Sequence, residues 1–321
     1  MPFKNIYAQR DEVKTLVDES PMDENRYSAD LVLPPVLVSQ QAGDIPTKKA
    51  SSGTKLLDLS RAERGSFKRT DLTFGSETFI TREKGIEIPV FDTEVMENSE
   101  VFNLEVEAAR DALQLHKLSI EKSVADAVLN TSTFTGTANQ QAATAVWTGA
   151  TAKIFTDVDN AAKKIKAKAG ISKGLLTLTM DETVFNAVIR STEVREDVKY
   201  TSDINSEGMK AQVSYLASYL HIKNIIITSA VADSTPEGNE TASFSELWNP
   251  ALSMLSYITP ASNSWRGKGL GRQPIWSKFS KDYKVESYLD PAVASTIMRV
   301  RSYRGEKIFT NYGVIITGVT S

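Results

Sequence analysis

The sequence contains no cysteine and only two histidines among its 321 residues. The first absence removes disulfides, thiolate catalysis and Cys-ligated metals together, and it suits a cytosolic origin. The second leaves His116 and His221, far apart in the chain, which read as structural residues and not as metal ligands. Neither sign of charge dominates: 37 Lys and Arg stand against 40 Asp and Glu. A dedicated nucleic-acid binder carries a basic domain or stripe, so any such contact is expected to be weak and sequence-independent. No apolar run approaches the ~20 residues that span a bilayer, and the first residues, MPFKNIYAQRDEV, hold no apolar signal core.

Catalytic vocabulary is missing too. Neither Gly-x-Ser-x-Gly nor the phosphate-loop Gly-Lys-Ser/Thr pattern occurs. The glycine cluster RGKGLGRQ (266–273) is followed by Pro274 and IWSKF, so no helix opens there to receive a phosphate, and the cluster reads as a flexible loop. TDVDNAA echoes a calcium loop but has Ala161 at the third acidic position and lacks the turn glycine. Asn130-Thr-Ser and Asn239-Glu-Thr match the glycosylation triplet, which without a secretion signal is coincidence. No carboxylate pair stands in an acid–base context. These absences predict a chain that is no enzyme and needs no cofactor, metal or nucleotide.

What is present is structural pattern. Residues 1–33 read as a polar arm with acids at 11, 12, 18, 19, 23 and 24. LVLPPVLVS (31–39) is extended, because Pro34 and Pro35 forbid a helix. Residues 51–85 are dense in charge and turn residues and read as a long two-stranded ribbon turning near Arg64, Gly65 and Ser66. A lone hairpin is marginal in water, so such a ribbon gains stability by lying on another surface. Residues 99–129 form the longest helix, with Phe102, Val106, Ala109, Leu113, Ile120, Val124 and Ala127 on one stripe. Asn98 or Ser99 is its expected cap, and its length is about 45 Å. Residues 130–146 form a polar connector.

The richest stretch is 147–200. A Trp opens it, and a helix follows, capped by Thr156 or Asp157. Val158, Ala161, Ala162, Ile165 and Ala169 form its apolar stripe, while Lys163, Lys164, Lys166 and Lys168 cover the other face. Gly170 is the expected left-handed stop. Leu176, Leu178 and Met180 alternate with Thr177 and Thr179 as a half-buried strand. Asp181 then caps a second helix with Val184, Phe185, Val188 and Ile189 inside. Further on, LHIKNIIITSAV (220–231) and LWNPALSMLSYI (247–258) are strand candidates. Residues 296–319 read as a closing hairpin, with Ile297, Arg299, Arg301 and Tyr303 on one face and a turn at Arg304-Gly305.

This order resembles the major capsid proteins of tailed bacteriophages with the Hong Kong 97-type fold. The run WTGATAKIFTDVDNAAKKIKAKAGISKGLLTLTMDETVFNAVIRSTEVREDVKY carries the resemblance, together with LASYLHIKNIIITSAVADSTPEGNETASFSELWNPALSMLSYI and the sequence arm, ribbon, long helix. It implies an α+β fold with an N-terminal arm (1–33) and an extended β-ribbon loop (51–85). A peripheral domain would comprise 34–50, 86–170 and 286–321 with its spine helix at 99–129, and an axial domain would comprise 171–285.

It further implies self-assembly into pentamers and hexamers of an icosahedral head enclosing DNA, in the virion, after assembly in the host bacterial cytoplasm. Portal and possible decoration proteins are further partners. No long scaffolding segment precedes the arm, so a separate scaffolding protein is expected. Lys55, Arg61, Arg64, Phe67, Lys68, Arg69 and Phe74 of the ribbon are then candidate contacts between subunits, and Phe102, Val106, Leu113, Ile120 and Val124 the core face of the spine. The second reading is an encapsulin-like nanocompartment shell of the same fold. A soluble α/β enzyme with a concave polar site is the third.

Overall fold

The computed structural model describes residues 27–48, 74–98, 103–198, 209–235, 243–261 and 269–320, with 56, 58, 60, 61, 65–69, 71 and 265. Helix α1 (Ala29–Val32) leads into β1 (Pro35–Val38). Strands β2 (Ala42–Lys48) and β3 (Phe74–Ile80) pair as an antiparallel ribbon, and β4 (Arg82–Phe91) follows after Thr81 alone. Helix α2 (Asp92–Asn98) precedes the long α3 (Leu104–Val128). Then come β5 (Gln140–Ala142), α4 (Ile154–Ala169), β6 (Thr177–Asp181), α5 (Glu182–Arg190), α6 (Thr192–Val198), α7 (Met209–Tyr219) and β7 (Asn224–Thr228). Strands close the chain: β8 (Val231–Asp233), β9 (Phe244–Glu246), β10 (Leu252–Ser256), β11 (Gly271–Trp276), β12 (Lys284–Asp290), β13 (Ser295–Arg304), β14 (Lys307–Ile308) and β15 (Gly313–Thr317).

Two sheets organise these elements. In the first, β13 is paired along its whole length with β4 and along most of it with β12, while β11 links its Arg304 end to β1 and β14. In the second, the order is β5-β15-β10-β6-β7. Helix α3 spans both. Ala108, Ala109, Ala112 and Leu113 in its first half pack with Val90, Val285, Met298 and Val300 of the first sheet. Ile120, Val124, Ala125 and Val128 in its second half pack with Ile226, Met254 and Ile315 on one face of the second sheet. The other face of that sheet, including Leu178, Leu255, Val314 and Ile316, packs on α4 and α5. Alternate residues on a strand point to opposite faces, so every residue of β6 is buried. The half-buried strand expected at 177–181 is a central strand covered on both sides.

Several other expectations need correction. The ribbon's first strand, 42–48, lies before the expected span 51–85 and its second, 74–80, within it, while β4, from Arg82 onward, leaves the ribbon to join the first sheet. Residues 296–319 form no hairpin: β13 stays in the first sheet and β15 crosses to the second. Gly305 is there for clearance, since a Cβ would stand 2.1 Å from the Ile80 carbonyl oxygen. The division at 170 and 285 does not follow the sheets. Segment 140–169 and strand β15 share a sheet or core with β6 and β7, whereas β11 and β12 belong with β13. Helix α3 starts at Leu104, because the Asn103 side chain accepts from Glu105 N and Val106 N, at 3.1 and 3.4 Å. Its 25 residues run about 37 Å. The end of the expected arm also docks, with Val32 and Leu33 buried against the second half of α3.

Within α4, Val158, Ala161, Ala162 and Ile165 are buried and Gly170 has a φ of +70°. The expected cap is not used. Helix α4 begins at Ile154, whose N–H donates to Glu193 Oε2 at 2.7 Å, so a carboxylate of α6 supplies the acceptor. Two of the lysines turn inward. Lys164 donates to the Gln140 carbonyl at 2.7 Å. Lys168 donates to Asn139 Oδ1, Thr310 O and Gly313 O, and burial beside Lys164 pulls its ammonium down to about 8. Asp181 does cap α5, accepting from Thr183 N at 2.8 Å.

Candidate assembly surfaces

Three features of the described residues could serve contacts beyond the subunit: the ribbon, the outer face of the first sheet, and the docked arm segment. The ribbon has almost no core of its own. Along β3 exposed and half-buried residues alternate, and in β2 only Ile45 is fully buried. Its root is fixed to the body by Lys307 Nζ to Glu77, at 3.0 Å, and by the Phe79 ring 5.4 Å from that of Trp265. Beyond the root, Arg61, Lys68 and Arg69 are exposed, as are Phe67 and Phe74. Arg61 Nε donates to the Gly65 carbonyl at 2.6 Å, and its guanidinium lies 4.5 Å from the Phe67 ring centroid. Lys68 Nζ donates to the Asp58 carbonyl at 3.1 Å. These contacts tie Arg61 to Gly65 and Phe67, and Lys68 to Asp58, while the three basic side chains stay exposed. Lys55 and Arg64 lie outside the described residues.

The outer face of the first sheet is an ion ladder. Odd-numbered residues of β13 point away from α3, as their spacing predicts. Arg299 and Arg301 converge on Glu286 of β12, at 2.8 and 2.9 Å. They also reach Glu87 and Glu83 of β4, at 3.3 and 3.2 Å. Tyr303 donates its hydroxyl to Glu83 at 2.7 Å. Burial opposes ionisation of Glu286, but donors from Arg301, Lys284 and Arg299 outweigh it and hold its carboxyl down to about 2.

The docked arm segment rests on a buried carboxylate that the sequence reading missed. Glu121 of α3, 1% exposed, accepts from Ser28 N (3.1 Å), Ser28 Oγ (2.9 Å), Ala29 N (2.8 Å) and Trp248 Nε1 (2.6 Å). One side chain therefore caps α1 and ties Trp248, in the segment between β9 and β10, to the spine helix. Asp157 repeats the device within the second core, accepting from Thr144 N, Thr144 Oγ1 and Trp147 Nε1. The available signal was an acid inside an apolar stripe together with a Trp, whose N–H needs a partner when buried. Nearby, Arg304 is buried and donates to Asp30, Gln273 and Asp282.

His116 stands midway along α3, 3% exposed, with Nε2 3.0 Å from Ser302 Oγ. Burial, helped by Arg304 and Lys84, lowers its pKa to about 4. The unfolded chain, with an ordinary histidine near 6.5, then binds the proton more readily than the folded one. Stability is full above pH ~6.5 and falls as pH drops toward 4, by at most about 3 kcal/mol. Urea unfolding between pH 7 and 5 should show this slope, and His116→Gln should flatten it. Equal slopes in the two proteins would contradict the assignment.

Val106, Leu113, Ile120 and Val124 are all buried, while Phe102 lies outside the described residues. Among the described residues there is no group of three His, Cys, Asp or Glu able to hold a metal ion, and no helix long and apolar enough to cross a membrane.

No family model and no curated protein matches the sequence. Solved structures do. A phage-related protein of Bordetella bronchiseptica RB50 matches with a TM-score of 0.69 at 17% identity, over 98% of both chains. A virus-like particle from Pyrococcus furiosus matches with 0.54 at 12%, over 95% of this chain and 98% of that one. The capsid structure of cyanophage P-SCSP1u matches with 0.53 at 12%, over 89% and 87%. At these identities the likeness is one of fold: the described residues have the α+β Hong Kong 97-type fold.

Proposed function

We propose that this chain, with its Hong Kong 97-type fold, is the major capsid protein of a tailed phage. The observation that carries the proposal is the likeness in fold to a virus-like particle and to a phage capsid, over 95% and 89% of this chain. Pentamers and hexamers of the chain close an icosahedral head around DNA. Copies meet head-to-tail around each capsomer axis, a heterologous contact that closes a ring. The ribbon, too poor in core to serve the subunit, overlaps the adjacent copy. Individual contacts are modest, and their number gives the avidity.

On this reading the chain works by contact and not by catalysis. A separate scaffolding protein guides closure, a portal and decoration proteins complete the head, and the packaged DNA is touched weakly and without sequence preference. Assembly takes place in the host bacterial cytoplasm and the product is the virion. The likeness to the Pyrococcus furiosus virus-like particle favours one second reading, an encapsulin-like shell around cargo enzymes.

Light scattering on the purified chain, alone and co-expressed with its genomic neighbours, tests the shared claim. Masses of capsomers or shells are expected, and a monomer under every condition would overturn it. Particle contents separate the two readings, nucleic acid for the first and a co-purifying enzyme for the second.

A further inference from the structure

We infer that β12 is a docking edge on which a second copy of the chain lays its own β12, antiparallel and across a two-fold axis. The inference goes beyond the shell reading, whose ring contact is head-to-tail, by adding a self-complementary one. Strand β12 stands at a rim of the first sheet: among the described residues, β13 is the only strand paired with it. An unpaired strand edge presents a row of backbone N–H and C=O groups that templates another strand, and proteins usually blunt such edges. The rims at β4 and β1 are blunted. Strand β4 carries Pro89 and β1 opens on Pro35, and a proline has no N–H to donate. Strand β12 has neither a proline nor a bulge, and its pairing with β13 runs without a break from Lys284 to Asp290.

The side chains select both register and occupant. Directly opposed residues of two strands share a face, so a two-fold axis between two β12 strands passes through a residue. Centred on Glu286, the pair sets that carboxylate against its own copy. Centred on Tyr288, it sets Glu286 against the partner's Asp290. Like charges directly opposed are destabilising. Centred on Ser287, every residue of β12 is paired and no like charges meet. Lys284 then faces the partner's Asp290, Val285 faces the partner's Leu289 and Glu286 faces the partner's Tyr288. Lys284 lies 2.6 Å from Glu286 within the subunit, but Glu286 also holds Arg299 and Arg301 at 2.8 and 2.9 Å. Lys284 can therefore reach across without leaving Glu286 unpaired. A strand complementary to itself in this way fits a copy of this chain.

The inner face agrees. Val285 packs with Met298 and Val300 and is 3% exposed, whereas Leu289, on the same face, is 53% exposed. In the pair centred on Ser287, Leu289 lies beside the partner's Val285 and gains the cover that its own subunit does not give it.

The absence of cysteine makes the pairing directly readable. Ser287→Cys places one thiol in each chain, and on the axis the two Cα atoms stand about 4.5–5.5 Å apart, within disulfide reach. Leu289→Cys is the control. Its thiol is more exposed, yet its two copies are offset by about 13 Å of strand, too far to bridge. After mild oxidation of the assembled full chain, Ser287→Cys should give roughly tenfold more covalent dimer than Leu289→Cys on a non-reducing gel. Should Ser287→Cys fold poorly, Lys284→Cys combined with Asp290→Cys sets thiols opposite each other at both ends of the strand and should link as well.

Particles that assemble with no excess of the Ser287→Cys or double-variant dimer over the control would leave the shell reading standing and overturn this pairing. A linked dimer that never forms capsomers or shells would keep the pairing and overturn the shell reading. A monomer by light scattering under every condition would overturn both.

Discussion

Glu121→Ala is expected to destabilise the subunit by about 3–5 kcal/mol. The substitution leaves Ser28 N, Ser28 Oγ, Ala29 N and Trp248 Nε1 without their common acceptor in a site closed to water. Bonds to a charged acceptor are each worth more than neutral ones, and an orphaned buried donor costs its full desolvation. The loss also has a direction. Because α1 is capped by this carboxylate, residues 27–33 should become protease-sensitive before the rest of the fold. Glu121→Gln keeps one oxygen acceptor and should cost less than half as much. Denaturant unfolding with limited proteolysis makes the comparison. A change below about 1 kcal/mol with the arm still protected would show that the carboxylate is incidental.

Leu113→Ala carries the second large effect, about 2–5 kcal/mol. Leu113 is 1% exposed and packs between α3 and the first sheet, with Val285, Met298 and Val300. Helix and sheet are both held in place by long-range pairing, so the cavity cannot collapse cheaply. Thermal unfolding of the subunit or capsomer is the measurement. Little change would mean that the first half of the spine contributes little to the core.

These two residues mark the division between what was legible in the sequence and what was not. Local pattern carried well. The helix over 154–169, the strand over 177–181 and the helix over 182–190 follow from apolar spacing, the Gly170 stop and the Asp181 cap, all encoded within a few residues. Leu113 was legible for the same reason.

Long-range pairing was not legible. Gly305 looks like a hairpin turn in sequence, but its missing Cβ serves the close approach of Ile80 from a distant segment. The partner of β3 is β2, about thirty residues earlier, a pairing that no local pattern announces. Glu121 was missed because all four groups that it satisfies belong to residues 28, 29 and 248, and only folding brings them to α3.

The central claim, that this fold is a shell subunit, is tested most directly by electron cryomicroscopy of the purified chain assembled with its scaffold. Closed particles are predicted, with rings of five and six copies in which each ribbon crosses onto a neighbouring subunit. A population of isolated subunits across all assembly conditions, or rings whose ribbons contact only their own chain, would contradict the account.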